Sequence, residues 1–515
     1  MGLPRGIVVL AAIGVAAAVP LQAGSALAPP VFAVAAPTGS ITGTGLGAAT
    51  ELETGDLNGD GLPDVVITRL TVPPTHVTHP IGILLANGHG GFVDGSSMWD
   101  GPPARTEWGR QIIIADFNGD HRNDIFVADH GYDAEPFPGH PNTLVLSTPA
   151  GKLVDASANI PPESGFTHSA AAADVDGDGD IDIYVGNLCC GDGSPPEILL
   201  NDGTGHFTSR RDLLPSFLLD NYGPHQYTRS LFVDLNGDHA PDLVLGGSND
   251  TPDSRVLLND GTGHFHDAPA PLPAKAFGPD AILISLATLD VNGDGKADLI
   301  AGFQRKDFSG RRLEILIGNG DGTFRDETSQ RLTQQQEGQA WPYAIRVADF
   351  NGDGHLDFVV DTNSGGLGDT STAIYLDDGT GTYHMFPFTP ANWLFGVVDA
   401  NGDGYPDIVS SGIGDTTEPH DIQLQLVVPS APTGLRASGT ATGVRLAWKR
   451  STGAGVAYEV WRSTGSTAKK RLATTTAPTF LDRTAKRAVV YRYVVRGLNG
   501  AGAGPFSAPA AARRR

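Results

Sequence analysis

The stretch Asp116-Phe117-Asn118-Gly119-Asp120-His121-Arg122-Asn123-Asp124 is one copy of a nine-residue pattern, DxNxDGxxD, that occurs seven times in the chain. The copies begin at Asp56, Asp116, Asp174, Asp234, Asp290, Asp349 and Asp399, at intervals of 60, 58, 60, 56, 59 and 50 residues. Near-constant spacing of this length marks repeats of one supersecondary unit. Outward from each loop the chain reads as strands. A short β-branched run precedes it, as in residues 111–115 (QIIIA), and another follows, as in residues 124–128 (DIFVA). A third run lies beyond a variable loop, as at 198–200 and 256–258, followed by a Gly-rich turn that opens on an aromatic, as in residues 201–207 (NDGTGHF). Glycine supplies the positive φ values that such hairpin turns need. Four antiparallel strands per repeat, seven times, predict an all-β chain built on a seven-bladed β-propeller. The seventh repeat ends at residues 422–427 without a turn or a fourth strand, so residues 31–34, with Phe32 in the aromatic position, are expected to close the ring.

The loops also explain the charge. The chain of 515 residues carries 35 basic and 58 acidic residues, a net of -23. From Ser430 onward there are 16 basic residues against Glu459 and Asp482, a net of +14, which leaves the body with 19 basic and 56 acidic residues, a net of -37. Twenty-three of those acids are loop aspartates. Three or more carboxylates within nine residues repel one another unless a cation lies between them. Positions 1, 3, 5 and 9 offer carboxylate or amide oxygens and position 7 a carbonyl, which suits the six to eight oxygens that calcium prefers. The expected ligands are Asp56, Asn58, Asp60 and Asp64; Asp116, Asn118, Asp120 and Asp124; Asp174, Asp176, Asp178 and Asp182; Asp234, Asn236, Asp238 and Asp242; Asp290, Asn292, Asp294 and Asp298; Asp349, Asn351, Asp353 and Asp357; and Asp399, Asn401, Asp403 and Asp407. About seven structural Ca2+ sites follow, and hard oxygen donors argue against zinc or copper. Position 6 needs a sharp turn; it is Gly61, Gly179, Gly295, Gly354 and Gly404, but His121 and His239 in the second and fourth copies. Metal-free turns held by Asx hydrogen bonds are the alternative for any single loop.

This arrangement resembles the FG-GAP, or VCBS, repeats of integrin α-subunit propellers and their bacterial relatives, over about residues 30–428. The resemblance rests on the pairing of DxNxDGxxD with a DGTGxF turn some 30 residues later. It implies calcium in the Asp loops at one face of the disc and partners at the opposite face. After a short linker at 429–432, residues 433–508 resemble a fibronectin type III sandwich, an immunoglobulin-like fold. The carrying residues are Pro432 to Leu435, Trp448, Tyr458 to Arg462, Phe480 to Asp482 and Tyr491 to Val494. Residues 509–515 are expected to form a disordered tail.

Counting back six positions from each first aspartate gives Thr50, Arg110, His168, Thr228, Ile284, Tyr343 and Trp393, at the entrance to the innermost strand. Trp108, Tyr227, Arg229 and Trp341 lie beside them. The candidate ligand ring is therefore Trp108, Arg110, His168, Tyr227, Arg229, Trp341, Tyr343 and Trp393, with aromatics filling the wide end of the channel as the competing role. His76, His79, His130 and His140 are too weakly spaced for a transition-metal site and read as surface histidines. Cys189 and Cys190 are adjacent and are the chain's two cysteines; in an exported protein a vicinal disulfide is expected.

Residues 1–28 read as a secretory signal: Arg5, an apolar run at 7–19, and Ala23 or Ala26 at a cleavage position. That run is too short to span a bilayer, and no other segment reaches the required length. No nucleophile elbow, phosphate loop, zinc motif or dinucleotide fingerprint occurs, which leaves enzymatic activity unsupported by motif. The expected function is extracellular binding or adhesion toward a glycan or protein, with the basic C-terminal part held to an anionic cell-wall polymer and no nucleic-acid partner. The alternative is a polysaccharide lyase or sugar dehydratase on the same propeller.

Overall fold

The computed structural model describes residues 31–34, 48–70, 76–88, 91–188, 193–219, 227–247, 254–273, 277–278, 281–307, 309–335, 341–363, 372–388, 394–400, 404–411, 421–426, 429–451, 456–465, 467–499 and 502–515. The expected signal segment, the Cys189–Cys190 pair, Trp393, Asn401 and Asp403 lie outside them, as does the side chain of Trp341.

Each repeat forms one four-stranded antiparallel sheet, and there are seven such sheets among the described residues. The strands Ala48–Gly55, Gly109–Ala115, Thr167–Ala173, Tyr227–Val233, Ala281–Leu289, Trp341–Ala348 and Leu394–Val398 each stand at one end of their sheet. Each packs against the corresponding strand of the next sheet, and Leu394–Val398 packs back on Ala48–Gly55. They are the inner strands of a closed ring, and the fold is a β-propeller. The hydrophobic cores lie between neighbouring sheets. One holds Ala115, Phe126 and Leu144 of the second sheet with Val185 and Leu199 of the third; another holds Val233 and Val244 of the fourth with Leu283 and Leu299 of the fifth. Sheets buried on both faces explain why the second strand of the first four repeats, such as Asp64–Leu70, is buried along its whole length.

The nine-residue loop is the hairpin between first and second strands. Its last aspartate is the first paired residue: Ala115 pairs with Asp124, Ala173 with Asp182 and Val233 with Asp242. At the other end of the inner strand every described sheet from the first to the sixth has a β-bulge. The register skips between Ala49 and Glu51, Gly109 and Gln111, Thr167 and Ser169, Tyr227 and Arg229, Leu283 and Ser285, and Pro342 and Ala344. The unpaired residues are Thr50, Arg110, His168, Thr228, Ile284 and Tyr343. A bulge re-aims a side chain where a strand meets a site, and here it falls on the position six before the loop each time.

Two devices lock the ring. Val31–Val34 pairs antiparallel with Asp421–Leu426, Val31 opposite Leu426, and so supplies the outer strand of the last sheet. The asparagine that opens the Gly-rich turn ties neighbouring sheets together. Asn201 donates to the carbonyls of Phe117 (2.8 Å) and Ile181 (3.1 Å) and accepts from the amides of Gly203 and Gly205 (3.2 Å each). Asn259 repeats the pattern with Val175 and Pro241. Gly203 and Gly205 have φ of 77° and 76°, which the turn requires and a side chain would resist.

Beyond the ring, Thr433–Gly439, Val444–Lys449 and Thr479–Asp482 form a three-stranded sheet, and Lys470–Thr475, Ala457–Ser463, Val490–Asn499 and Gly502–Ala503 belong to a five-stranded one. Val444–Lys449 alternates buried and exposed as the sequence VRLAWK predicts. Val444, Leu446, Trp448, Tyr458, Val460 and Tyr493 fill the space between the two sheets. The expected disordered tail is corrected here: Ala510–Arg513 pairs with Val490 to Tyr493 as a further strand, because an extended run of small residues satisfies the open edge of that strand. Among the described residues no helix is long and apolar enough to cross a membrane.

Candidate functional sites: the aspartate loops and the channel mouth

In each loop the first aspartate gathers backbone amides. Asp56 Oδ1 accepts from Gly59 (2.7 Å) and Asp60 (3.2 Å), and Oδ2 from Gly61 (2.8 Å); Asp116, Asp234 and Asp349 do the same. These Asx turns fix the course of the loop backbone that carries the side chains of positions 1, 3 and 5. Position 6 is left-handed in every loop, with φ of 84° at Gly61, 65° at His121 and 72° at His239. Both histidines accept the conformation and lay Nδ1 3.7 and 3.6 Å from the first aspartate of their loop.

Position 9 carries a second duty. Asp64 Oδ2 accepts from Leu57 and Oδ1 from Ala86 of the third strand, both at 2.9 Å. Asp124, Asp182, Asp242, Asp298 and Asp357 bridge loop and third strand in the same way. Burial, only partly offset by those amides, pushes Asp64 and Asp124 up to about 6, Asp182 and Asp242 to about 7 and Asp357 to about 8; the other carboxylates of each loop push the same way. A cation would relieve that excess negative charge.

The donor set fits a hard cation. Carboxylate oxygens of Asp174, Asp176 and Asp182 lie within 4.8 Å of one another, close enough to share one ion. In the second loop Asp120 Oδ2 is buried with no hydrogen-bond partner among the described residues, so its lone pairs are open to a cation. Asp178 and Asp180 complete the acids of the third loop, Asp180 being an extra acid of that copy alone.

The bulged residues gather at the far end of the inner strands, about 20 Å from the loops at the usual rise per residue. A polar web crosses the channel from the sixth sheet to the first. Arg346 Nη1 lies 2.7 Å from Glu53 Oε2 and Nη2 3.8 Å from Glu51 Oε1. Tyr343 Oη donates to Glu51 Oε2 at 3.3 Å. From the fourth sheet Arg229 donates through Nε to the Ile284 carbonyl and through Nη2 to that of Tyr343 (3.2 Å), with its guanidinium 5.4 Å from the Tyr343 ring centre. Burial pushes Glu51 up against the pull of Arg346 and Arg229.

Beside the web the second and third sheets present Trp108, Arg110 and His168, all partly exposed. Of the candidate ring, the structure therefore brings together Trp108, Arg110, His168, Arg229 and Tyr343. Tyr227 is 2% exposed and packs in the core between the third and fourth sheets. Glu51, Glu53 and Arg346 are members that counting back six positions misses; counting back five and three finds them. The histidines expected on the surface divide: His130 and His79 are 0% and 4% exposed, while His76 stacks on Tyr132 and meets Glu107 at 2.9 Å.

Residues 56–127, 116–185, 234–301 and 290–360 match the FG-GAP-like repeat model. A search of curated proteins gives no match. Among solved structures, an Agrocybe aegerita lectin described as recognising non-reducing terminal N-acetylglucosamine is 18% identical, covering 67% of this chain and 81% of its own, with a TM-score of 0.40. The Dos1 propeller is 11% identical over 75% of this chain and 94% of its own, TM-score 0.42. An Fn3-like protein from Clostridium thermocellum is 28% identical over 17% of this chain and 96% of its own, TM-score 0.16.

Proposed function

We propose that this β-propeller of FG-GAP-like repeats is a secreted, seven-bladed, calcium-stabilised binding or adhesion protein whose ligand, a glycan or a protein, docks at the channel mouth opposite the Asp loops. The single observation that carries the reading is the recurrence of a β-bulge six residues before the loop in six sheets, which turns unlike side chains into the same place. The frame repeats and the residue at the bulge varies, as binding surfaces on rigid scaffolds do. Calcium holds the frame: four loop oxygens per site, organised by Asx turns, would receive the ion, and the ion would neutralise carboxylates that now repel. The C-terminal sandwich, read as a fibronectin type III domain, is a spacer whose excess of positive charge holds it to an anionic wall polymer.

Two measurements test this. Excess EGTA should lower the melting temperature of the full chain, since a ligand bound only by the folded state adds RT ln(1 + [L]/Kd) per site; an unchanged transition would remove calcium from the account. A combined glycan and protein array should give ligands that compete with one another and are lost on substitution at the mouth. Turnover to unsaturated sugar would instead favour the lyase alternative, for which a neutral His168 beside Arg110 is the supporting feature.

A further inference from the structure

One corner of the channel mouth has donors and acceptors that the fold leaves unused. Trp108, His130, His168 and Phe166 form a cluster of rings: Trp108 and His130 are centred 5.0 Å apart, His130 and His168 stack at 4.9 Å and 18°, and Phe166 lies 4.7 Å from His168. His130 Nδ1 sits 2.7 Å from the Gly131 carbonyl, so it carries the proton and leaves Nε2 as an acceptor. That Nε2 is buried and has no partner among the described residues. His168 Nδ1 faces the Phe166 carbonyl at 3.4 Å, which sets the same tautomer and frees its own Nε2. Burial first, then neighbouring positive charge, holds both imidazoles well below their ordinary range, so both are neutral.

Arg110 stands among these rings with five N–H donors and no hydrogen bond or ion pair among the described residues. Of the nearby carboxylates, Asp133 lies within electrostatic reach of Arg110 but makes no hydrogen bond to it among the described residues, and the others are committed elsewhere. Glu51 serves Tyr343 and Arg346. Asp129 accepts from the amides of Glu107, Trp108 and Gly131 and meets His140 at 3.1 Å. A partly buried guanidinium with idle donors is costly, and a planar two-oxygen anion is the group that fits its fork.

We infer that this corner binds the carboxylate of an acidic sugar: Arg110 grips the carboxylate, the free Nε2 of His168 accepts from an adjacent hydroxyl, and Trp108 lies along the sugar ring. This rests on the proposed binding role of the channel mouth and names its ligand class. One unpaired cation in a body of strong negative charge suits a single negative charge and disfavours a phosphate or sulfate dianion. Neutral nitrogen acceptors beside it call for hydrogen-bond donors, and a sugar acid sets several hydroxyls around its carboxylate where a peptide C-terminus offers a single amide N–H.

The test is calorimetric titration of the full chain, calcium present, with a glucuronate-terminated oligosaccharide and with the same oligosaccharide after its carboxyl is reduced to the alcohol. The acid should bind roughly tenfold or more tightly than the alcohol, as a charge-assisted hydrogen-bonded contact does. Arg110→Ala should erase the difference and Arg110→Lys should keep part of it. His168→Phe should weaken both sugars. Equal binding of the two sugars by the unmodified chain, or a preference that survives Arg110→Ala, would overturn the acidic-sugar inference while the broader binding role stood. Binding of neither, alongside hits on the array, would likewise overturn the inference alone; silence in both experiments would overturn the two together.

Discussion

Replacing Arg346 by methionine should cost the propeller about 2–4 kcal/mol of stability. The guanidinium meets Glu53 at 2.7 Å and Glu51 at 3.8 Å and donates to the Leu52 carbonyl at 3.2 Å, linking the sixth sheet to the first across the channel. Methionine keeps the packing of the stem, so the loss isolates the charge. Removing one member of a buried pair costs about 3–5 kcal/mol because the other charge is stranded. Arg346 is 18% exposed and Glu53 15%, so water screens some of that, which sets the lower range. Adding Glu53→Gln to Arg346→Met should recover more than half of the loss, since the stranded carboxylate disappears. The loss should also depend on pH. Burial raises the folded-state pKa of Glu51, so the stability it contributes is full below the unfolded-state value and is lost as pH rises from there through the folded-state value, and losing Arg346 raises that folded-state value further. The difference between variant and parent should therefore be smaller near about pH 4, around the unfolded-state value of a glutamate, than near about pH 8. Urea titration with saturating calcium, followed by near-ultraviolet circular dichroism, reads it. A loss under about 0.5 kcal/mol, or one of equal size at both pH values, would show that the web carries no weight.

His121→Gly and His239→Gly should each stabilise by about 0.5–1 kcal/mol, since each relieves a left-handed side chain; a lower melting temperature would mean the histidine's contact with its aspartate matters more than the strain. Asn201→Ala removes four hydrogen bonds, three within the third repeat and one across to Phe117 of the second, and should cost about 3–4 kcal/mol, measurable by urea titration; a loss under about 1 kcal/mol would mean the turn holds without the latch. In the sandwich, burial alone would raise Asp482, but Thr484, Tyr493 and Arg462 outweigh it and hold the carboxyl low. Its stabilisation should be complete above the unfolded-state value near about 4 and fade as pH falls through the lower folded value; Tyr493→Phe should shrink that acid-dependent part, and an identical acid profile would refute the assignment.

The sheets were legible because their signals are local: a loop of nine residues, a β-branched run on either side, a Gly-rich turn. The residues at the mouth of the inner strand could be counted from a fixed landmark, while the bulge that falls on them could not be read from the sequence. What the sequence hides is set by closure. Arg346 and Glu53 are 293 residues apart and meet only because the ring brings the sixth sheet within reach of the first. Tyr227 shares a strand with Arg229, yet the bulge between them sends Tyr227 to the core while Arg229 reaches the channel. Asn201 reads as a turn former, and its latch to Phe117 depends on a neighbour 84 residues earlier. The tail at 510–513 offers three alanines and no strand pattern; the open edge of Val490–Asn499 decides its state.

The closing pair of Val31 and Leu426 joins residues 395 positions apart, with the earlier strand synthesised first and used last. Bringing such distant segments together costs about 5 kcal/mol in the logarithmic chain term alone, repaid in part when Leu394–Val398 packs on Ala48–Gly55 and completed only by the pairing with Asp421–Leu426. The middle sheets can assemble in order as they are made, whereas the first and last must wait for one another. Through that interval the edge of the last sheet is open to any strand in the vicinity, including Val31–Val34 of a second copy, so crowded synthesis would trade closed rings for linked ones.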